Sequence, residues 1–290
     1  MRKIGIVILN YKTYMDTERL VNDILAFEDD NKYTIVIVDN ASPNESYYHL
    51  CNFFDSIDNV HVIQSGENGG YAKGNNLGAK FLEQYSPDYI LVLNNDIYFK
   101  SDIIEKCIST YEMIPDVGAL APIQLLPNGK NAPITSLKCN TFLQDLLSYS
   151  IVYGKFRKKH KYYNNCEYAG VQCVHIIPGC FVFMSFKRFK EIGFFYEETF
   201  LFCEERFLYI RFKSKGYKNY IILNNTYIHD HSHTINSEVI KTRQLKFLNE
   251  GYCIFTRHYR KFSALKILIL KVALVLYIIN CKLLSKIRRK

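Results

Sequence analysis

The chain lacks tryptophan, and its nine cysteines form no Cys-x-x-Cys pair and no zinc-ribbon spacing. Scattered thiols in an odd number favour a reducing compartment over a disulfide framework. The Gly-x-Gly-x-x-Gly and Walker A sequences are also missing, which disfavours dinucleotide-binding and P-loop proteins. No internal repeat and no low-complexity linker divides the chain. Its length of 290 residues is enough for one large domain or two small ones.

Acidic residues are absent after Glu250, and the net charge of +9 arises there. The ten basic residues beyond that point are Arg257, Arg260, Lys261, Lys266, Lys271, Lys282, Lys286, Arg288, Arg289 and Lys290. The longest uninterrupted apolar run there, residues 272–279, is far short of the roughly 20 residues that a spanning helix needs. Residues 251–290 are therefore expected to form a basic amphipathic helical tail on an anionic membrane surface, with an ordinary core helix as the alternative. Such a tail is too apolar for a typical nucleic-acid-binding arm.

The N-terminal apolar run, residues 4–9, is too short for a signal peptide and meets Asn10 at once. We expect it to be a buried strand of a protein that is cytoplasmic and peripheral on the inner face of the cell membrane.

Apolar runs typical of strands alternate with helical patterns in the first half of the chain. Strands are predicted at residues 4–9, 33–38, 60–63 and 89–93, and helices at residues 16–27, 45–54 and 70–85. This order predicts an α/β fold with a parallel, doubly wound sheet. The second half is less regular, with helices predicted at residues 101–111 and 202–212 and strands at residues 117–121 and 220–223.

The fourth predicted strand stops abruptly at residues 94–96, Asn-Asn-Asp. In open α/β sheets the ligand binds beyond the carboxyl ends of the strands, and a carboxylate placed there needs a partner. Oxygen ligands suit a hard divalent cation, which would bridge a diphosphate. The pattern indicates a metal-assisted enzyme acting on a nucleotide-diphosphate compound.

Two earlier segments point to the same edge of the sheet. Asp39 follows the second strand, where its carboxylate can accept from a base N–H or a ribose hydroxyl, although Asp-Asn is also common in turns. Residues 67–76, Glu-Asn-Gly-Gly-Tyr-Ala-Lys-Gly-Asn-Asn, lead into a helix. Glycines at a helix N-terminus let an anion approach the free backbone N–H groups, and a simple turn is the alternative.

With residues 8–11, Ile-Leu-Asn-Tyr, these segments stand in the order found in the family 2 glycosyltransferases of the GT-A fold. The chain resembles the bacterial rhamnosyltransferase-like members most closely, over residues 3–233. The resemblance implies that Asp39 holds the base or ribose, and that residues 94–96 are the DXD-type motif with Asp96 at the metal. It assigns donor binding to Asn10, Asp39, Asn40, Asn68, Gly70, Lys73, Asn94, Asn95 and Gly179.

The second half matches the family as well. Residues 178–183, Pro-Gly-Cys-Phe-Val-Phe, resemble its glycine-containing strand beside the acceptor. Where the family has Glu-Asp-x-Asp-Leu, this chain has Glu204, Glu205 and Phe207, which implies Glu205 as the catalytic base and Glu204 as a neighbour that binds acceptor hydroxyls. Glu205 is one methylene longer than the usual Asp, and Phe207 replaces a second Asp. A helix dipole alone also favours two acidic residues in a first turn.

Three histidines, His229, His231 and His233, alternate along one segment, so an extended chain places them on one face. The resemblance implies a histidine that completes a Mn²⁺ or Mg²⁺ site, and we favour His229 over His231. A zinc site would need cysteines at ligand spacing, which are missing, and a polar loop is the alternative.

The sequence thus predicts an inverting, metal-dependent glycosyltransferase domain at residues 1–250, with a nucleotide-binding half (1–100) and an acceptor half (101–250). The expected partners are a nucleotide-diphosphate sugar, with rhamnose as the first expectation, and a polyprenyl-diphosphate-linked or polysaccharide acceptor, with no nucleic acid. A sugar nucleotidyltransferase would want a Gly-Thr-Arg type loop where residues 10–13 read Asn-Tyr-Lys-Thr. A non-catalytic nucleotide-sugar-binding member is the other alternative. The hypothesis requires Asp39, Asp96, Glu205 and His229 to meet at one edge of the sheet.

Overall fold

The first four strands form the parallel half of one mixed sheet. The computed structural model describes residues 1–132, 138–149, 168–230 and 238–287. The strands are β1 (Lys3–Asn10), β2 (Lys32–Asp39), β3 (Val60–Gln64) and β4 (Tyr89–Asn94), and they lie in the order β3-β2-β1-β4. All three pairings are parallel, as the sequence predicts, because apolar runs without alternation suit strands that are covered on both faces.

Three helices connect these strands and cover the sheet. They are α1 (Tyr14–Leu25), α2 (Ser46–Phe54) and α3 (Gly70–Leu82), and a 3₁₀ turn (Glu83–Tyr85) follows α3. In α1 the buried residues Leu20, Val21 and Ile24 recur at helical spacing, which fixes the face that packs inward. The parallel register places Asn10 of β1 beside Asp39 of β2, so the polar strand ends share one edge.

The second half of the chain adds five strands to the same sheet within the described residues. They are β5 (Ile97–Tyr98), β6 (Val117–Leu125), β7 (Val171–Val174), β8 (Phe181–Ser185) and β9 (Lys218–His229). Strand β8 runs antiparallel between β4 and β6, β9 pairs with β6 in parallel, and β5 and β7 pair with β9. Strands β6 and β9 are longer than predicted. In β9 the polar residues 224–226 fall at an irregularity, where the pairing with β6 passes from Ile222 opposite Pro122 to Thr226 opposite Ile123.

Six further helices lie in the second half of the described chain. They are α4 (Asp102–Met113), α5 (Phe142–Leu147), α6 (Phe186–Glu191), α7 (Glu204–Ser214), α8 (Glu238–Tyr259) and α9 (Ser263–Ile287). Helix α5 begins with a capping box in which the Thr141 hydroxyl accepts from Gln144 N and the Gln144 side chain accepts from Thr141 N. Helices α8 and α9 pack against each other.

A second hydrophobic core joins these C-terminal helices to α7. Its buried members are Tyr149, Cys203, Phe207, Tyr252, Cys253, Ile254, Phe255 and Leu270. The domain boundary expected between residues 250 and 251 therefore falls inside α8, and residues 252–255 pack in this core rather than in a separate tail. The loss of acidic residues after Glu250 marks a change of surface charge inside this packed region, and the division at residue 250 stays a prediction.

Helix α9 differs from the amphipathic helix expected from the sequence. Its outward face is apolar and carries the exposed side chains Leu265, Leu268, Val272, Val275, Leu276 and Ile279. The segment Ser263–Cys281 has a mean hydropathy of 2.2, is 6 % buried, and by length and composition alone is sufficient to cross a membrane. Lys266 and Lys271 interrupt the apolar run but not the helix, so the run of residues 272–279 underestimated its length.

Candidate active site

A buried hydrogen-bond network joins the carboxyl ends of β1, β2 and β4. Asn10 Nδ2 donates to Asp39 Oδ2 (2.8 Å), and Thr17 Oγ1 donates to Asn10 Oδ1 (3.0 Å). Asn95 Nδ2 in turn donates to Thr17 Oγ1 (2.9 Å) and Thr13 Oγ1 (2.7 Å). Asn10 and Asp39 are fully buried and Asn95 is nearly so. Because buried polar groups are costly unless paired, this network fixes the three strand ends relative to one another.

The second carboxylate oxygen of Asp39 binds the loop that follows β2 and the end of β3. Asp39 Oδ1 accepts from Ser42 N (2.9 Å) and from Gln64 Nε2 (3.3 Å). The neighbouring Asn40 side chain donates to Asn68 Oδ1 (3.0 Å) and to Gly70 O (3.2 Å). The sequence-predicted donor residues Asn10, Asp39, Asn40, Asn68 and Gly70 are therefore brought together, with Asp39 beneath the loops instead of on the surface.

An open cleft of about 280 Å³ lies against these loops and the start of α3. Its lining includes Asn40, Gln64, Ser65, Glu67, Lys73 and Lys80. The Lys73 ammonium pairs with the exposed Glu67 carboxylate at 3.2 Å, so the cation is within reach of an anion in the cleft. Gly70 has φ +81°, and its carbonyl-side neighbour Tyr71 donates its backbone N–H to Phe200 O (3.0 Å), which ties the start of α3 to the acceptor half.

Asp96 and His229 form a pair at the end of β4. Strand β5 pairs with β9 so that Ile97 faces His229, and Asp230 N donates to Asp96 O (2.8 Å). His229 Nε2 and Asp96 Oδ1 are 3.0 Å apart. Burial lowers the pKa of His229, but its hydrogen bonds to Asp96 and Cys180 outweigh burial and raise that pKa to about 10. Both side chains are thus held at one place by main-chain pairing.

The donor atoms of this pair fit a divalent cation that also binds substrate. A carboxylate oxygen and an imidazole nitrogen already lie in contact, and Mg²⁺ or Mn²⁺ is commonly held by few protein ligands plus diphosphate oxygens and water. In the part of the chain that is described, no group of three or more His, Cys, Asp or Glu residues is arranged around a metal position. The arrangement accordingly suits a substrate-assisted metal site better than a closed structural one. His231 and His233 lie outside the described residues.

Glu204 and Glu205 open α7, directly after two strained residues. Phe202 and Cys203 have φ of 74° and 73°, a backbone region that non-glycine residues rarely adopt. Glu204 is 3 % exposed, and burial followed by the charge of Glu205 raises its pKa to about 8. Burial also raises the pKa of Glu205, opposed by the backbone N–H groups of Glu205 and Gly179. Both carboxylates are thereby made more basic than ordinary ones.

The start of β8 connects Glu205 to the Asp96–His229 pair. Glu205 Oε1 lies 2.8 Å from the position that a Cβ on Gly179 would take, so a side chain at this position would displace the Glu205 carboxylate. The next residue, Cys180, hydrogen-bonds to His229 through its thiol and accepts from Asn94 N (3.0 Å) through its carbonyl. Glu205 and His229 therefore contact consecutive residues. Through Asn94, this contact chain also reaches the end of β4.

Asp39 joins the same assembly through the strand-end network. Its partner Asn10 leads by way of Thr17 to Asn95, the residue before Asp96. Continuous contacts therefore link all four positions on which the sequence hypothesis depended. Phe207, which stands where the resemblance has an Asp, is fully buried and stacks on Tyr196 at 4.3 Å, so this position serves the second core.

Several residues of this assembly were not predicted. Tyr71 Oη donates to Gly179 O (2.5 Å), Cys180 Sγ lies 3.0 Å from Tyr227 Oη, and Gln124 contacts His229. Gln124 alone left a sequence signal, because it is the single polar side chain of β6, Val-Gly-Ala-Leu-Ala-Pro-Ile-Gln-Leu. The contacts of Tyr71 with Gly179 and of Cys180 with Tyr227 depend on where β8 inserts, which no local pattern reveals.

Comparison with protein families gives a match to Glycosyl transferase family 2 over residues 5–193, more than half of the chain. The chain belongs to glycosyl transferase family 2. This confirms the family expected from the motifs, whereas the rhamnosyltransferase-like subgroup stays a prediction.

Among curated relatives, this family 2 chain is 36 % identical over 104 residues to the low-salt glycan biosynthesis hexosyltransferase Agl10 of Haloferax volcanii. The match covers 35 % of this chain and 31 % of the relative, so the chain spans about a third of that protein.

Solved structures show the GT-A fold. GalNAc-T7, solved with UDP, GalNAc and Mn²⁺, has a TM-score of 0.60 at 12 % identity and covers 80 % of this chain and 44 % of its own. Residues 1–349 of Staphylococcus aureus TarS with UDP-GlcNAc give 0.56 at 15 % identity, covering 92 % and 70 %. The Pyrobaculum calidifontis mannosyltransferase PcManGT with GDP-Man and Mn²⁺ gives 0.59 at 12 % identity, covering 98 % and 79 %. At these identities the likeness concerns the fold.

Proposed function

We propose that this protein transfers a sugar from a nucleotide-diphosphate donor to an acceptor hydroxyl with inversion at the anomeric carbon. The observation that carries the proposal is the contact of Glu205 and His229 with consecutive residues, Gly179 and Cys180. A base and a metal position at that spacing can serve the two sides of one displacement, in which the base removes the acceptor proton and the diphosphate leaves.

Each part of the site has a role in this scheme. Asn40, Asn68 and Lys73 line or support the donor cleft, and Asp39 holds the loops that form it. Asp96 and His229 hold Mn²⁺ or Mg²⁺, which when bound neutralises charge on the departing diphosphate. Glu205 accepts the acceptor proton, and buried Glu204 beside it keeps the pair basic and offers an oxygen to an acceptor hydroxyl.

For the substrates, we propose rhamnose as the transferred sugar and a polyprenyl-diphosphate-linked or growing polysaccharide as the acceptor. The rhamnose proposal rests on the order of motifs in residues 3–233. Related folds are known with UDP-GlcNAc and with GDP-Man, so the base and sugar are to be tested together. A panel of dTDP-rhamnose, UDP-glucose, UDP-GlcNAc and GDP-mannose, screened for Mn²⁺-dependent thermal stabilisation, separates these donors.

The catalytic step is tested with Glu205→Gln. We expect this variant to keep the Mn²⁺-dependent stabilisation by the best donor but to lose transfer, or slow donor hydrolysis, by about 10²–10⁴-fold, because general-base catalysis contributes that much. Glu112→Gln on the exposed surface of α4 is the matched control. Undiminished turnover in Glu205→Gln would refute Glu205 as the base, and no donor binding in wild type would refute the proposed function.

We further propose that α9 holds the protein on the inner face of an anionic cell membrane. Its apolar outward face and the basic residues Arg257, Lys261 and Lys271 combine the two attractions that an interfacial helix uses. Deleting residues 262–290 would also remove Leu270 from the second core, so a sharper test changes only exposed positions. Leu268→Ser with Leu276→Ser should reduce flotation with phosphatidylglycerol vesicles at unchanged thermal stability. Equal flotation of variant and wild type would contradict this.

A further inference from the structure

Gln124 is a buried polar residue to which the proposed function gives no role. It lies near the carboxyl end of β6, is 7 % exposed, and faces Tyr227 in the β6–β9 pairing. Its Nε2 is 3.0 Å from His229 Nδ1, on the opposite side of the imidazole ring from Asp96. The ring of His229 thus lies between an amide and a carboxylate, with the Cys180 thiol as a further partner.

The two ring contacts restrict where the imidazole proton can be. A neutral ring to which the Gln124 amide N–H donates at Nδ1 carries its proton on Nε2, the nitrogen 3.0 Å from Asp96 Oδ1, whereas a charged ring carries a proton on both nitrogens. A divalent cation bound by Nε2 needs the lone pair of that nitrogen, so the ring proton must then be on Nδ1 and face an acceptor. Rotating the terminal amide of Gln124 by about 180° presents Oε1 in place of Nε2, and the side chain keeps its shape.

We propose that Gln124 is a positioning residue. Its amide oxygen accepts a hydrogen bond from Nδ1–H of His229, which keeps the ring proton on Nδ1 and leaves Nε2 free for the divalent cation. This rests on the metal site of the proposed function. A glutamine suits the place because its amide offers a donor to one state of the ring and an acceptor to the other. A side chain without an acceptor would remove the amide partner of that buried N–H whenever the metal binds.

Two substitutions separate this role from simple packing. Gln124→Leu keeps the approximate volume and removes the acceptor, whereas Gln124→Glu keeps an acceptor and adds a buried charge. We expect Mn²⁺ affinity, measured with Mn²⁺ alone by the electron paramagnetic resonance signal of the free ion, to fall about 10–100-fold in Gln124→Leu. Gln124→Glu should bind at least as tightly as wild type. Thermal stability should have the reverse order, with Gln124→Glu less stable than Gln124→Leu, because burying a carboxylate costs more folding free energy than burying leucine.

Controls make each outcome decisive. Gln172→Leu changes a partly buried glutamine on β7, which pairs with the same strand β9 opposite Ile221, and should leave Mn²⁺ affinity unchanged. His229→Ala should abolish Mn²⁺ binding. If His229→Ala abolishes it but Gln124→Leu binds like wild type, or if affinity follows stability across the variants, the role of Gln124 is refuted and the proposed function stands. If wild type binds no Mn²⁺ in the absence of substrate, the role of Gln124 is refuted, and the proposed function is decided separately by the Mn²⁺-dependent stabilisation with the donors.

Discussion

Replacing Asp145 by alanine tests what holds α7, the helix that carries Glu205, in place. Asp145 is fully buried in α5 and accepts two hydrogen bonds from Arg206 (2.9 and 2.7 Å) and one from Arg260 (2.7 Å). Arg206 directly follows Glu205 in α7, and Arg260 follows the end of α8. One carboxylate therefore joins the acceptor-side helix to the C-terminal helices.

The expected cost follows from what the substitution leaves behind. The Arg206 and Arg260 side chains are 9 % and 10 % exposed, so Asp145→Ala leaves two buried cations without their carboxylate partner. Removing one partner of a buried ion pair costs 3–5 kcal/mol, and with two cations affected we expect about 4–5 kcal/mol of unfolding free energy. This corresponds to a factor of roughly 1,000 in the folding equilibrium constant.

Urea unfolding followed by circular dichroism measures this free energy. Glu83→Ala is the control, because its exposed pair with Lys190 should contribute about 0–1 kcal/mol. Replacing Asp145, Arg206 and Arg260 together by leucine, methionine and methionine should recover most of the loss, since apolar groups leave no unpaired charge. A cost below about 1 kcal/mol for Asp145→Ala would show that the network does not hold these helices together.

Three further predictions concern the carboxylates Glu204 and Glu205. The raised pKa of Glu205 means that transfer should still rise with pH above the ordinary carboxylate pKa of 4.5, because the base must be ionised. Stability should show the opposite trend. Between pH 4.5, the ordinary pKa of Glu204, and about pH 8, the folded protein keeps the Glu204 proton that the unfolded chain loses. The unfolding free energy therefore falls as pH rises through that window, by at most about 1.4 kcal/mol per pH unit. Urea titrations at several pH values should show that slope reduced in Glu204→Gln, and an identical slope would refute burial of the neutral acid. Gly179→Ala would place a Cβ 2.8 Å from Glu205 Oε1, and we expect kcat for transfer to fall far more than donor affinity, whereas equal losses would place the damage in the donor cleft.

The nucleotide-binding half could be predicted because its signals are local. Each of β1, β2 and β4 is an apolar run that ends in a polar residue, and parallel strands bring those ends to one edge. Asn10, Asp39 and Asn95 were placed correctly for that reason. Sequence reasoning did not show that Asp39 is fully buried beneath its loops, because its partners Asn10, Ser42 and Gln64 come from separate segments.

The acceptor half resisted prediction because its contacts depend on strand insertion. Strand β8 is five residues long and runs against its neighbours, so no periodicity indicates that Gly179 and Cys180 lie between Glu205 and His229. The second core was missed for a similar reason. Residues 252–255 and Phe207 pack together across more than 40 positions of sequence, while the change in charge suggested a boundary between them.

The antiparallel direction of β8 places the proposed donor residues and the proposed acceptor-side residues in separate stretches of the sequence. Its first residues reach the catalytic edge from the loop side, whereas β1, β2 and β4 reach the same edge with their last residues. On the proposed function, exchange of the residues that directly precede β8 is therefore expected to change acceptor selection and to leave the ends of β1, β2 and β4 in place.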